Sequence, residues 1–220
     1  MLNGNVNYSS KLPIFLEKTI KAKSVMQRIK SEESQWTREA GWKNYALDIM
    51  SFHNSPLEGL TTYITMGLSE YELRDNQNNR PPLRVELVSV LKDNTDFDQL
   101  TGNCNDKKSF YEDALIYISC YNIIKEDYLA PGDVWIRFFS NKYQYQFSDL
   151  EHLFFMRPIL LNDKLIEPIQ IDDQQVEFIL CVPITESELV FYQKNGAEAL
   201  EELLLKEQID VSDLFRKPVV

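Results

Sequence analysis

Glycine and histidine are scarce in this chain, and both shortages limit the chemistry that it can carry. Seven glycines in 220 residues leave little material for a phosphate-binding loop, and no Walker loop, GxGxxG or GxSxG motif occurs. The two histidines, His53 and His152, are far apart in the sequence and form no HExxH spacing. A metal-dependent hydrolase that used them would need carboxylates supplied by the fold. We therefore expect a protein without catalytic residues, metal or cofactor, and keep that hydrolase as the less favoured alternative.

Cysteine is also rare, and long hydrophobic runs are missing. Cys104, Cys120 and Cys181 are odd in number and widely spaced, so they form neither a disulfide framework nor a zinc motif. Each is expected to be a small buried hydrophobic residue. No apolar run approaches the roughly 20 residues that a membrane helix requires, and the first ten residues lack the apolar segment of a signal peptide. These absences predict a protein of the reducing cytoplasm that makes no membrane contact.

Acidic side chains, in contrast, are abundant. The chain has 34 Asp and Glu residues against 23 Lys and Arg, a formal net charge of -11. A phosphate backbone repels such a protein, so we expect no nucleic-acid partner, whereas a basic protein would be attracted and would associate faster. The first 30 residues are the exception, with six basic side chains against one acidic side chain. The hydrophobic share of 44% is that of one packed globular domain.

Two runs rich in β-branched and aromatic residues, 60–69 and 83–91, predict two strands with a long polar connection. In the second run apolar residues alternate with polar ones, which is typical of a strand with one buried face. Glu86 falls on the polar face of that strand. There it would either pair with a lysine or meet a partner.

Hydrophobic periodicity predicts most of the remaining elements. Apolar residues at helical spacing predict a helix over 12–30, with lysines on its outer side, and another over 107–126. Alternation predicts a strand at 42–52. Two apolar runs around Arg157-Pro158 predict one interrupted strand over 153–161, and a nearly continuous apolar run predicts a strand at 176–182 that is covered on both faces.

A capping signal follows that last strand. Thr185-Glu186-Ser187-Glu188 is a capping box, in which the Thr185 hydroxyl accepts from the backbone of residue 188 and the Glu188 carboxylate reaches back. It predicts a helix to about residue 194, ended by Asn195-Gly196, and a second helix over 197–206.

Several segments, taken in order, resemble the suppressor of fused domain family. They are YITMGLS (63–69) with RVEL (84–87), LAPGDV (129–134), HLFFM (152–156) with Pro168-Ile169, and FILCVPITESEL (178–189) with NGAEAL (195–200). The resemblance implies an α+β fold, in which a mixed twisted β-sheet is flanked by helices. It implies a single SUFU-like domain over residues 41–207. We expect a basic helix and connection in residues 1–40, packed on the domain, and a C-terminal tail in residues 208–220.

The resemblance also implies a function. Eukaryotic members bind a zinc-finger transcription factor, partly by adding a peptide strand to the domain's sheet. This chain is more similar to the short, free-standing bacterial members, which are regarded as immunity proteins or antitoxins paired with polymorphic toxins, often nucleases. The resemblance therefore predicts a non-enzymatic protein that binds a cognate, basic toxin. The alternative is a peptide-binding regulator that acts by β-strand addition.

The same resemblance suggests where the partner binds. Tyr63 and Glu70 match positions near the eukaryotic peptide groove, and Tyr71 and Glu72 follow on the same rim. The acidic pair Asp172-Asp173 is a further candidate. In the competing interpretation Tyr63 is half-buried packing and the glutamates are solvated loop residues.

Overall fold

A computed structural model describes residues 11–28, 47–75, 80–96, 110–125, 127–139, 149–161 and 163–220. In these ranges the strands are β1 (Ser24–Arg28), β2 (Asp48–His53), β3 (Leu60–Met66), β4 (Val85–Lys92), β5 (Val134–Trp135), β6 (His152–Met156), β7 (Ile169–Ile171) and β8 (Gln174–Ile184). The helices are α1 (Lys11–Ile20), α2 (Phe110–Lys125), α3 (Asp163–Ile166), α4 (Glu186–Asn195) and α5 (Ala197–Lys206), with a 3₁₀ turn at Leu68–Glu70.

The strands form one mixed sheet in the order β1-β2-β3-β4-β8-β6-β5, and β7 pairs with β8 outside this path. Its parallel pair is β4 with β8, in the register Val85↔Glu177 and Leu87↔Ile179, and the other pairs are antiparallel. This arrangement confirms the predicted α+β fold class.

Helices cover the sheet on both faces, and each face has its own core. On one face α2 packs over residues such as Leu87 and Ile179. On the other face α1, α4 and α5 pack over the next residues of the same strands, Val88 of β4 and Leu180 of β8. Because successive side chains of a strand point to opposite faces, a strand between two helical layers must be apolar on both sides. This confirms the prediction for β8, which is buried from Phe178 to Ile184.

The same geometry overturns the prediction for β4. Seven of its eight residues are buried, from Val85 to Leu91, so the strand is not half-exposed. Glu86 is 0% exposed and projects to neither solvent nor a lysine. Its alternation of polar and apolar residues was misleading because the Glu86 carboxylate finds its hydrogen-bond donors inside the protein.

Two further predictions are corrected. The helix predicted over 12–30 ends at Ile20, where Lys21 adopts φ 58 and its N–H donates to Glu17 O. Residues 24–28 instead form β1, because pairing with β2 satisfies their backbone groups in a ladder that begins at Ser24↔Phe52. The strand predicted over 153–161 stops at Met156, and residues 159–161 turn back with Leu161 N donating to Pro158 O.

The structure confirms the capping box predicted at the start of α4. The capping box is present: Thr185 Oγ1 accepts from Glu188 N at 3.3 Å, and Glu188 Oε2 accepts from Thr185 N at 2.8 Å. Cys120 and Cys181 are free and buried, as predicted, whereas Cys104 and residues 42–46 lie outside the described residues. None of the helices in the described ranges has the length and apolar character needed to cross a membrane.

The predicted tail, residues 208–220, packs against the rest of the domain. The Arg216 guanidinium pairs with Glu188 through Nη1–Oε1 and Nη2–Oε2 contacts of 2.7 and 2.8 Å, and Val219 N also donates to that carboxylate. Leu214 is buried in the α2-side core. Glu188, which completes the capping box of α4, therefore also anchors the tail.

Candidate functional site

A concavity lies beside the short strand β5. It has a volume of about 600 Å³ and runs between the end of α2, the loop before β5, and residues Arg74, Asp75 and Arg80. We call it the β5 groove. In the described part of the sheet β5 ends the strand order, so one backbone edge of Val134–Trp135 faces away from the sheet. Such an edge offers N–H and C=O groups to an added strand.

Aromatic side chains form one wall of the β5 groove. The Trp135 ring lies 4.9 Å from that of Tyr121 and 5.4 Å from that of Phe138, measured between centroids. On the opposite side the Tyr192 hydroxyl donates to Gly132 O at 3.1 Å. These contacts fix the wall in one arrangement. Rigid aromatic side chains of this kind carry much of the binding energy in protein interfaces.

Charged groups of both signs form the remaining wall. The Arg80 guanidinium stacks over the Tyr128 ring at 4.4 Å and pairs with Asp75. Asp133 Oδ2 accepts from Ala130 N at 2.8 Å. Burial raises the pKa of Asp133, and the hydrogen bond from Ala130 and the charge of Arg80 oppose that rise. The groove can therefore receive a segment that is partly apolar and carries polar or basic groups.

The turn that leads into β5 depends on Gly132. Its φ is 99, its N–H donates to Phe155 O at 2.7 Å, and a Cβ added there would meet the Cβ of Ala197 at 3.2 Å. A residue with a side chain would be strained by the positive φ and crowded by α5. The sequence LAPGD thus fixes where Asp133 and β5 lie.

Part of the predicted contact rim adjoins this groove. Glu72 pairs with Arg74, a groove residue, at 2.6 Å, and lies 3.7 Å from Arg84. Glu70 is half-buried, and burial raises its pKa. Tyr71, between them, is only 9% exposed. Residues 70–72 thus lie together beyond the end of β3.

The other predicted contact residues lie elsewhere. Tyr63 pairs with Ser89 in the β3–β4 ladder, and its ring is stacked on that of Tyr111 at the start of α2. Burial, with the charges of Glu112 and Asp93, raises the pKa of Tyr63 to about 12.

Asp172 and Asp173 are exposed in the turn between β7 and β8, where Asp172 pairs with Lys11 of α1. The structure does not gather the six predicted residues into one patch, and their role in contact stays a prediction.

The histidines do not form a metal site. His53 lies on β2 and His152 on β6, four strand spacings apart in the sheet, or about 19 Å. His152 Nδ1 accepts from Arg137 N at 2.8 Å and its Nε2 donates to Glu186 Oε2 at 2.9 Å, so both ring nitrogens are engaged. Over the described ranges no cluster of three potential metal ligands occurs. At this separation His53 and His152 cannot bind the same metal ion.

Comparison with known proteins decides the family. A sequence model of the suppressor of fused protein (SUFU) family matches residues 43–217. The chain belongs to the SUFU family. The chain is also 31% identical over 180 residues to the immunity protein YqcF of Bacillus subtilis (strain 168), covering 81% of this chain and 84% of that protein.

Solved SUFU structures share the fold. A SUFU homolog from Neisseria gonorrhoeae FA 1090 superposes with a TM-score of 0.67 at 14% identity, covering 98% of both chains. A structure of the Sufu–Fu complex gives 0.64 at 15% identity, covering 96% of this chain and 92% of that one. Drosophila Suppressor of Fused gives 0.52 at 18% identity, covering 79% of this chain but 42% of that one. At these identities the likeness concerns the fold alone.

Sequence reasoning missed most of the groove in this SUFU domain. Arg80, Trp135 and Tyr192 come from three segments that meet only in the folded protein. One signal in the sequence does point to the groove: LAPGDV combines a turn glycine with an acid directly before an edge strand.

Proposed function

We propose that this SUFU-family protein is an immunity protein that neutralises a cognate toxin by stoichiometric binding in the cytoplasm, without catalysing a reaction. The observation that carries the proposal is its 31% identity to an immunity protein over four-fifths of both chains, 81% and 84%. The separated histidines support a binding role over the hydrolase alternative.

Charge supports a basic partner. With a net charge of -11, the protein attracts a basic surface and speeds its encounter with it. A nuclease toxin must present such a surface to its own substrate, so an acidic inhibitor can occupy the face that the nucleic acid would use. We therefore propose a nuclease as the toxin.

The β5 groove with residues 70–72 is the contact region that the geometry supports best. The groove offers rigid aromatic rings for burial, Asp133 for a basic group, and, for backbone hydrogen bonds, an edge of β5 that pairs with no strand in the described ranges. Ile136, 50% exposed directly after β5, adds apolar surface. Glu72 continues this region through its pair with Arg74.

The open edge of β5 also favours a second candidate, a regulator that binds an endogenous peptide by strand addition. Both candidates use the same groove, but they differ in the partner. A toxin kills when it is expressed alone, whereas the ligand of a regulator does not.

The test is co-expression with the product of the adjacent gene. We expect that protein to stop growth alone, and this chain to restore growth and to co-elute with it at equal stoichiometry. Trp135→Ala should abolish rescue, while Phe215→Ala, which removes an aromatic ring that is 45% exposed on the tail, should leave it intact. A harmless neighbour, or rescue without a complex, would refute the immunity proposal. Equal loss in both variants would refute the groove as the contact.

A further inference from the structure

Two charged residues, Glu86 of β4 and Arg84 directly before that strand, hold the segment that follows β3. Glu86 Oε1 accepts from Gly67 N at 2.9 Å, from Ser69 N at 3.1 Å and from Ser69 Oγ at 2.6 Å. Its other oxygen, Oε2, accepts from Thr65 Oγ1 at 2.6 Å. The carboxylate thus collects donors from the end of β3 and from the turn beyond it. We call residues 67–72 the rim segment.

Arg84 precedes Val85 at the start of the same strand and binds the complementary groups. Its Nη1 donates to Ser69 O and to Glu70 O, both at 2.9 Å. Its Nη2 lies 3.7 Å from Glu72 Oε2. Glu86 therefore accepts hydrogen bonds from backbone amides of the rim segment, and Arg84 donates hydrogen bonds to its carbonyl groups. Few backbone conformations of the segment can satisfy both sets of hydrogen bonds at once.

Stability alone does not explain a carboxylate at position 86. The side chain is 0% exposed, its neighbours in β4 are Val85 and Leu87, and no cation in the described ranges pairs with it. Burying a carboxylate without an ion pair is costly, and a well-packed apolar side chain in such a place is often at least as stable. Burial raises the pKa of Glu86 to about 7, against the opposing effect of its hydrogen bonds. What the acid provides is the set of hydrogen bonds to the rim segment.

Hydrogen bonds fix the backbone of the rim segment around Glu70, while the Glu70 carboxylate stays available to a partner. Glu70 N donates to Gly67 O at 3.2 Å, and Glu70 O is held by Arg84. In the described part of the chain the Glu70 side chain has no hydrogen-bond or ion-pair partner, and burial raises its pKa. A half-buried acid on a fixed backbone is suited to receive a lysine or arginine.

We propose that Glu86 and Arg84 are positioning residues that hold residues 67–72 in one conformation and so present Glu70 and Glu72 to a basic side chain of the partner. The proposal rests on the proposed function, because it takes residues 70–72 as part of the contact. Its physical effect is preorganisation: a segment that is already ordered loses less conformational freedom on binding.

Two substitutions separate the hydrogen bonds from the charge. In Glu86→Gln the amide oxygen can replace Oε1 and keep the bonds from Gly67 and Ser69, while the amide nitrogen donates to Thr65 Oγ1. In Glu86→Leu all these bonds are lost and a side chain of similar size remains. Glu58→Gln, at an exposed position between β2 and β3, is the matched control for removal of an acid.

Amide hydrogen exchange on the purified protein tests the conformational claim without a partner. In Glu86→Leu we expect exchange of the Gly67 and Ser69 amides to accelerate about tenfold or more relative to that of Leu180 in β8. Glu86→Gln and Glu58→Gln should stay within about threefold of the wild type. Unchanged exchange at Gly67 and Ser69 in Glu86→Leu would overturn the proposal. If that variant is too unstable for local exchange to be resolved, Arg84→Met decides in its place, through the amides of Glu70 and Tyr71.

Binding to the product of the adjacent gene tests the functional claim. We expect Glu86→Leu to weaken affinity about tenfold or more and Glu86→Gln to restore it to within about threefold. Faster exchange with unchanged affinity would overturn the link between the rim segment and the partner, and would leave the immunity proposal standing. If the wild type itself does not bind, the proposed function and the claim on the partner fail together, while the exchange result still decides whether Glu86 and Arg84 order the segment.

Discussion

The ion pair between Arg216 and Glu188 offers a sharp test of how the tail is attached. Glu188 is fully buried, and Arg216 keeps only 6% of its side chain exposed. The guanidinium makes two contacts to the carboxylate, at 2.7 and 2.8 Å, and one to Pro183 O at 2.8 Å. We predict that Arg216→Met destabilises the protein by about 3 kcal/mol, since removal of one partner of a buried pair costs about 3–5 kcal/mol. The lower figure applies because Thr185 N and Val219 N still donate to the carboxylate.

Equilibrium unfolding in urea at pH 7 measures this loss, and Lys217→Met is the matched control, since Lys217 is the exposed neighbouring cation. The double variant Arg216→Met with Glu188→Leu should recover much of the loss, because it leaves no buried charge unpaired. A loss below about 1 kcal/mol in Arg216→Met, no larger than that of an exposed pair, would refute the assigned role of the pair.

The pH dependence of the same variant provides an independent check. Burial would raise the pKa of Glu188, but the hydrogen bonds and charge of Arg216, with the amides of Thr185 and Val219, lower it overall. The folded pKa lies below the unfolded value, so this stabilisation is present above about pH 4.5 and is lost as the pH falls through the folded pKa. The gap between wild type and Arg216→Met should therefore be widest near pH 7 and should narrow in acid. A gap that does not change with pH would contradict this reasoning.

Three further predictions follow from other residues. In the folded state the pKa of Glu86 is raised to about 7, so its contribution to the free energy of unfolding is present below the unfolded value of 4.5 and declines as the pH rises through 7. Glu86→Gln should remove this pH dependence of stability, measured by urea unfolding at pH 5 and pH 8. A pH dependence that persists in the variant would contradict the prediction. Gly132→Ala should lower the free energy of unfolding by about 1–3 kcal/mol, measured by thermal or urea unfolding. The loss should exceed that of Gly59→Ala, because both glycines have positive φ but of the two only Gly132 has a neighbour, at 3.2 Å, that an added Cβ would meet. Equal losses would contradict the crowding against α5. Association with the toxin should slow as salt is raised, with dissociation much less affected, and a salt-independent association rate in stopped-flow measurements would exclude charge steering.

Elements with strong local signals were predictable from the sequence. The capping box at Thr185 fixed the start of α4, and the apolar run of β8 indicated a strand covered on both faces. These features depend on residues that are near each other in the chain. The apolar spacing of α2 likewise predicted its helix.

Features that depend on distant pairing were not predictable in this way. Residues 24–28 continued a helical pattern, and only their pairing with β2 makes them a strand. Glu86 looked like a surface residue because its four donors come from Thr65, Gly67 and Ser69, well before it in the chain. The β5 groove combines residues that are far apart in the chain, such as Arg80, Trp135 and Tyr192, so its residues could be found only from the fold.

The central claim is stoichiometric neutralisation, and a titration tests it most directly. A fixed amount of the purified toxin, sought as the product of the adjacent gene, is mixed with increasing amounts of this chain. The remaining toxin activity is then plotted against the molar ratio. The account predicts a linear fall that ends at about one equivalent, as expected for tight binding. Inactivation that proceeds with time far below one equivalent, or full activity at a large excess, would contradict it.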